Sequence, residues 1–191
     1  MSENEAVILS AVRTPSGKFQ GSLSGFPAPK LGAIVIKAAV ERAGLKNPAD
    51  IDEAFMGNVV SAGLGQAPAR QAVISAGLPS SVGATSINKV CGSGMKAAML
   101  AAQAIKAGDG QLFVAGGFES MSRAPYLVNG RSGELRFGHV QFTDALLNDG
   151  LWCALENWSM GAAAEFIAAE YNVTREAMDK CAFESHQKAI A

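Results

Sequence analysis

Asn88-Lys89-Val90-Cys91-Gly92-Ser93-Gly94 is the stretch on which the reading of this chain turns. A β-rich run, Thr85 to Val90, delivers a cysteine that is followed at once by three small residues. Helical spacing then begins, with an apolar face of Met95, Ala98, Met99, Ala102 and Ile105 and a stop at Gly108. A strand that turns sharply through small residues into a helix has the form of a nucleophile elbow: it holds the reactive atom out and lets a substrate approach. The unpaired N–H groups at the start of such a helix favour thiolate over thiol at Cys91, and the backbone N–H at the turn can serve a carbonyl as an oxyanion donor. Two other readings fit the same residues. Cys91 can be a small buried hydrophobe at a strand end, as most free cysteines are. Gly92-Ser93-Gly94-Met95-Lys96-Ala97 also matches a dinucleotide-binding spacing, with Glu119 after the next strand as a ribose-binding acid. Against it, that fingerprint normally sits in the first βαβ unit, and a thiol here precedes the first glycine.

Outward from the elbow, strands and helices alternate. Val7 to Val12 reads as a strand ended by Arg13-Thr14-Pro15-Ser16-Gly17, and Phe19 to Lys30 as loop. Leu31, Ile34, Val35, Ala38, Ala39 and Arg42 follow helical spacing and stop at Gly44. Asp52 to Val60 is a second strand, Pro68 opens a short helix closed by Gly77, and Leu112 to Ala115 is a fourth strand ending in Gly116-Gly117. This order predicts an α/β fold, a βαβαβαβ mostly parallel sheet covered by helices on both faces. From Phe118 to about Trp158 neither period is sustained, as expected of a long functional insertion. One helix follows from Met160 to Tyr171, and another is capped by Thr174 and continues to the last residue. The division expected is a core over 1–118, an insertion over 119–158 and helices over 159–191.

Composition narrows the classes of function. The 191 residues are 49% hydrophobic and 17% charged, which excludes disorder and suffices for a core burying roughly 70% of the unfolded surface. A net charge of -1, without a basic stripe, argues against nucleic acid or a membrane surface as partner. Three cysteines suit a reducing compartment, and the acidic start Met1-Ser2-Glu3-Asn4-Glu5 is unlike a signal peptide, so a cytoplasmic protein is expected. Cys181 falls with Met178, Ala182 and Ser185 on one helical face and is expected in the core. His186, five residues on, is on a different face and does not pair with it. Cys153 and His139 have no metal-ligand spacing. Gly63-Leu64-Gly65-Gln66 lacks the Lys of a phosphate loop, and Asp144 and Asp149 are expected to be solvated.

The combined motifs resemble the N-terminal half of a thiolase. Arg13-Thr14-Pro15 with Gly17, Phe19, Gly21 and Leu23 resembles that family's opening, and Gly57-Asn58-Val59 with Ala62 to Gln71 and Ala76 to Pro79 its second segment. Asn88 to Ala97 is similar to its active-site signature; Glu119-Ser120-Met121-Ser122, Pro125-Tyr126, Gly138-His139, Asp149-Gly150-Leu151 and Met160-Gly161 resemble its later motifs. The resemblance implies ping-pong acyl transfer, with Cys91 as nucleophile and coenzyme A thioesters as substrates, with no permanently bound cofactor. It places Leu151, Ser159 and Met160 along the pantetheine channel and CoA and tetramer contacts between Met121 and Trp158. It also implies a homodimer or homotetramer, or pairing with a C-terminal thiolase half. Ser159 stands where many members carry histidine, and Trp152-Cys153 replaces a more polar pair, which bears on acyl chain length. The activating histidine, a second cysteine acting as acid and base, and an asparagine of the other oxyanion hole all belong to a C-terminal repeat that this chain lacks. A fifth strand beyond Ala191 is implied as well. A catalytically silent interaction module is the alternative of a different class. A ketoacyl-synthase relative shares the elbow, but Ser120-Met121-Ser122 and the later motifs argue against it.

Overall fold

The computed structural model describes residues 5–132 and 137–190. The acidic start read above falls mostly outside them, as does Ala191. In chain order the elements are α1 (Ala28–Arg42), β1 (Glu53–Gly57), α2 (Pro68–Ser75), β2 (Gly83–Ile87), α3 (Ser93–Ala107) and β3 (Phe113–Gly117). There follow the two-residue strands β4 (Tyr126–Leu127), β5 (Thr143–Asp144), β6 (Trp152–Cys153) and β7 (Trp158–Ser159), then α4 (Met160–Glu170) and α5 (Arg175–Ile190). The chain divides into a unit over Met1–Gly150 and a second over Leu151–Ala191.

The first unit is built on a parallel sheet of order β2-β1-β3. Register aligns Gly57 with Ile87 and with Gly117, so all three strands finish at one level. Side chains alternate between the faces. Ala54 and Met56 enter the core with Ile36 and Val40 of α1 and Ala69, Ala72 and Val73 of α2. Residues of the opposite parity, Gly57 among them, meet α3. Pro29 in the first turn of α1 needs no N–H partner, which lets the helix begin three residues before the apolar spacing does.

Two sequence expectations fail here. Val7 to Val12 joins no ladder. That segment is tied to α1 by single bonds, Ser10 Oγ donating to Ala39 O (2.8 Å) and Arg42 Nη1 to Ala11 O (3.0 Å). A β-rich composition permits pairing but needs a strand edge within reach, and Val7, Ile8 and Leu9 stay exposed. The α3 face is also misread. Its buried residues are Ser93, Ala97 and Ala101, while Met95 is 73% exposed. The reason is closeness: a Cβ on Gly57 would stand 2.7 Å from Ser93 Cβ, so only small side chains fit between this helix and the sheet.

In the second unit β6 pairs with β7 as an antiparallel hairpin, and Trp152 Nε1 donates to Asn157 Oδ1 at 3.0 Å. Ser159 Oγ caps α4 by accepting from Ala162 N (3.2 Å), and Thr174 Oγ1 caps α5 by accepting from Ala177 N (3.2 Å). Neither helix contains a buried residue. Cys181 is exposed, against the expectation of a core position, because α5 buries no face among the described residues.

Candidate active site around Cys91

Ligand sites of open parallel sheets lie beyond the carboxyl ends of the strands. Here that edge carries Asn58 after β1, Asn88 after β2 and Phe118-Glu119 after β3, with the elbow directly above. Cys91 is exposed in a cleft of about 290 Å³ lined also by Asn58, Val90, Ser93 and Glu119. The reading of Cys91 as a buried hydrophobe therefore does not hold.

The turn is held by five short bonds. Asn88 Oδ1 accepts from Val90 N (3.0 Å), Gly92 N donates to Lys89 O (3.0 Å) and Ser93 N to Val90 O (3.1 Å). Ser93 Oγ accepts from Lys89 N (2.9 Å) and donates to Val90 O (2.6 Å). Val90 takes φ 47°, a left-handed conformation that is an outlier for a β-branched residue. Strain at the elbow thus sits on the residue before the nucleophile. Gly92 has φ −89°, and a Cβ there would come no closer than 3.4 Å to Lys89 O, so this glycine relieves no strain and leaves open space beside the thiol. α3 begins at Ser93 with no side-chain cap at Gly92, and its first N–H, that of Ser93, is taken by Val90 O.

The floor of the cleft was not legible as a site. Glu119 Oε2 accepts from Val59 N (2.8 Å) and Val60 N (3.3 Å), and Oε1 accepts from Asn58 Nδ2 (2.9 Å). Asn58 Nδ2 also donates to Phe118 O (3.2 Å). Both amide hydrogens are engaged, so the orientation of Asn58 is fixed and its buried Oδ1 has no partner among the described residues. Glu119 is consumed by this bracket, which removes it as a ribose-binding acid and with it the dinucleotide reading. The signal that could have revealed the bracket is register: Gly57 and Gly117 are paired, so the residues after them must meet.

Leu151, Ser159 and Met160 belong to the second unit; Leu151 and Met160 are part-exposed and Ser159 is the α4 cap. Cys153 Sγ accepts from Glu156 N (3.5 Å) in the β6–β7 hairpin. Asp144 Oδ1 accepts from Leu146 N (2.8 Å), and Asp149 Oδ1 accepts from Asn148 Nδ2 (2.7 Å). His139 and His186 are exposed. No cluster of three or more His, Cys, Asp or Glu that could hold a metal occurs among the described residues. Nor is any described helix long and apolar enough to cross a membrane.

Fold and site together define an α/β protein with an exposed cysteine at a strand-to-helix elbow. The family model described as thiolase, N-terminal domain, matches residues 6–191, and the chain belongs to that family. Among curated relatives, acetyl-CoA acetyltransferase of Cupriavidus necator is 54% identical over 187 residues, covering 98% of this chain and 47% of the relative. The Schizosaccharomyces pombe acetyl-CoA acetyltransferase is 51% identical over 189 residues, covering 99% and 48%. The crystal structure of Acat5 thiolase from Ascaris suum in complex with coenzyme A is 47% identical, with a TM-score of 0.89 over 95% of this chain and 47% of that one. The chain thus spans about half the length of the proteins it matches.

Proposed function

We propose that this chain carries the nucleophile half of a coenzyme A-dependent acyltransferase. Cys91 Sγ attacks the carbonyl carbon of an acyl-CoA thioester, a C–S bond forms to Cys91, the C–S bond to coenzyme A breaks, and the departing thiolate takes up a proton. The Cys91 N–H at the head of α3 steadies the oxyanion. In the whole protein a second acyl-CoA, deprotonated beside its carbonyl, then attacks the acyl group and frees Cys91; the reverse is thiolysis of a 3-ketoacyl-CoA. The groups that move those protons belong, by resemblance, to the half of the relatives that this chain does not span. Resemblance likewise assigns Leu151, Ser159 and Met160 to the pantetheine arm, no permanent cofactor, and a homodimer or homotetramer; the sparse cysteines suit a reducing, cytoplasmic setting.

The observation that carries this reading is the exposed Cys91 beside the first turn of α3 on a strained elbow. A second reading, a silent interaction module, is favoured by the exposed apolar side chains of α3, Met95 (73%) and Met99 (50%). Intact-mass spectrometry of the chain with acetyl-CoA, beside Cys91→Ala, separates them. One acetyl group on the wild type and none on the variant is expected. An unmodified wild type rejects the acyltransferase reading for this half and leaves the interaction module.

A further inference from the structure

The elbow combines a backbone conformation that valine resists with a buried hydroxyl bonded to the two residues before the nucleophile. Ser93 is 5% exposed, and its Oγ accepts from Lys89 N and donates to Val90 O, the residues two and one before Cys91. Val90 itself is half exposed, so its side chain has only partial packing to hold it at φ 47°. What opposes its relaxation is the set of bonds to its peptide groups: Asn88 Oδ1 on its N–H, and Ser93 Oγ and N on its carbonyl. Ser93 cannot move closer to the sheet, because its Cβ lies against Gly57, where a methyl group would stand 2.7 Å away. The sheet thus fixes the serine, the serine fixes Val90, and Val90 sets where the Cys91 thiol stands.

We propose that Ser93 is a positioning residue for Cys91, acting by holding Val90 in the left-handed region; the proposal deepens the acyl-transfer reading and rests on it for its physiological meaning. The test is a double-mutant cycle of Ser93→Ala and Val90→Gly. Glycine takes a positive φ without steric cost, so the hydroxyl becomes dispensable once Val90 is replaced. Two rates of modification at Cys91 are followed by peptide-resolved mass spectrometry, acetylation by acetyl-CoA and alkylation by iodoacetamide. Ser93→Ala is expected to slow acetylation about tenfold, the scale of the left-handed penalty. The double variant is expected to lie within about threefold of Val90→Gly alone, a non-additivity that a serine serving only to pack α3 would not produce. Equal slowing by Ser93→Ala in both backgrounds overturns the proposal, as does a Ser93→Ala protein acetylated at the wild-type rate. Should Ser93→Ala fail to fold, comparing the double variant with Val90→Gly still decides. If the wild type takes no acetyl group, the acyl-transfer reading falls, and the same cycle read by iodoacetamide decides on Ser93 alone.

Discussion

Residues 1–150 and 151–191 both carry helices with alanine and large apolar side chains, but only in the first do helices bury a face. Ile36 on α1 is 1% exposed, whereas Phe183 on α5 is 62% exposed and Ile167 on α4 is 51% exposed. The difference lies in what surrounds the helix. α1 packs against α2, which lies on β1 and β2, so the buried side chains, Ile36 and Val40 among them, meet atoms from distant parts of the sequence. α4 and α5 hold their shape by local means, the Ser159 and Thr174 caps and the exposed i,i+4 pair Arg175–Asp179 at 2.9 Å. Truncating Ile36 to alanine should cost about 2–5 kcal/mol in urea denaturation, and Phe183→Ala under about 0.5. Amide hydrogen exchange sharpens the comparison: Ile36→Ala should raise exchange in α1, β1 and α2 and leave α4 and α5 unchanged. Loss of protection in α5 as well would make the two regions one cooperative unit and end the comparison.

Charge gives a second, smaller contrast. Glu119 in the first unit binds three donors from another segment, while Asp179 in the second pairs with Arg175 in open solvent. Glu119→Gln keeps the size but turns an N–H group toward Val59, Val60 or Asn58. It should lower stability by about 1.5–3 kcal/mol, the range for bonds to a charged group. Asp179→Asn should change stability by less than about 0.5 kcal/mol, as exposed pairs do. Matching effects from the two variants would show that the bracket under Cys91 contributes no more than a surface pair.

The same divide explains what the sequence could reveal. α4 and α5 were placed nearly to the residue because caps and helical spacing are local signals. The exposed elbow at Cys91 is legible in the sequence because strand, thiol, small residues and helix follow one another directly. Misreadings came wherever a partner distant in sequence decides the outcome. Val7 to Val12 has strand composition but no ladder, since pairing depends on an edge its own residues do not encode. The face of α3 was assigned by its largest apolar residues, whereas the approach of Ser93 to Gly57 selects the alanine face. Spacing alone offers Glu119 a ribose; sheet register gives it to Asn58, Val59 and Val60 instead. Val90 gave no warning of its positive φ, because valine is a residue that normally avoids it.

The smallest effect separates distant from local bonding by pH. Asp52 Oδ2 accepts from Gln111 N (2.7 Å) and Leu112 N (3.0 Å), and these bonds, Leu112 first, hold its carboxyl below the usual value. Glu176 is lowered too, by its own backbone N–H first and then by the Thr174 hydroxyl at the start of α5. In both, the folded value lies below the unfolded one. Their stabilisation is therefore complete above the unfolded pKa near 4 and is lost as pH falls through the folded value. For Asp52 the bonds tie the loop before β1 to the loop before β3, so acid should loosen the parallel sheet. Exchange at Gln111 and Leu112 should rise as the pH falls below about 4, and Asp52→Asn should show that rise already at neutral pH. For Glu176 the bonds stay within one turn, so Glu176→Gln should fray only the start of α5, with the sheet amides untouched. If acid released Gln111 and Leu112 equally in wild type and Asp52→Asn, the carboxylate would not be the tie, and local and distant bonding would respond to pH alike.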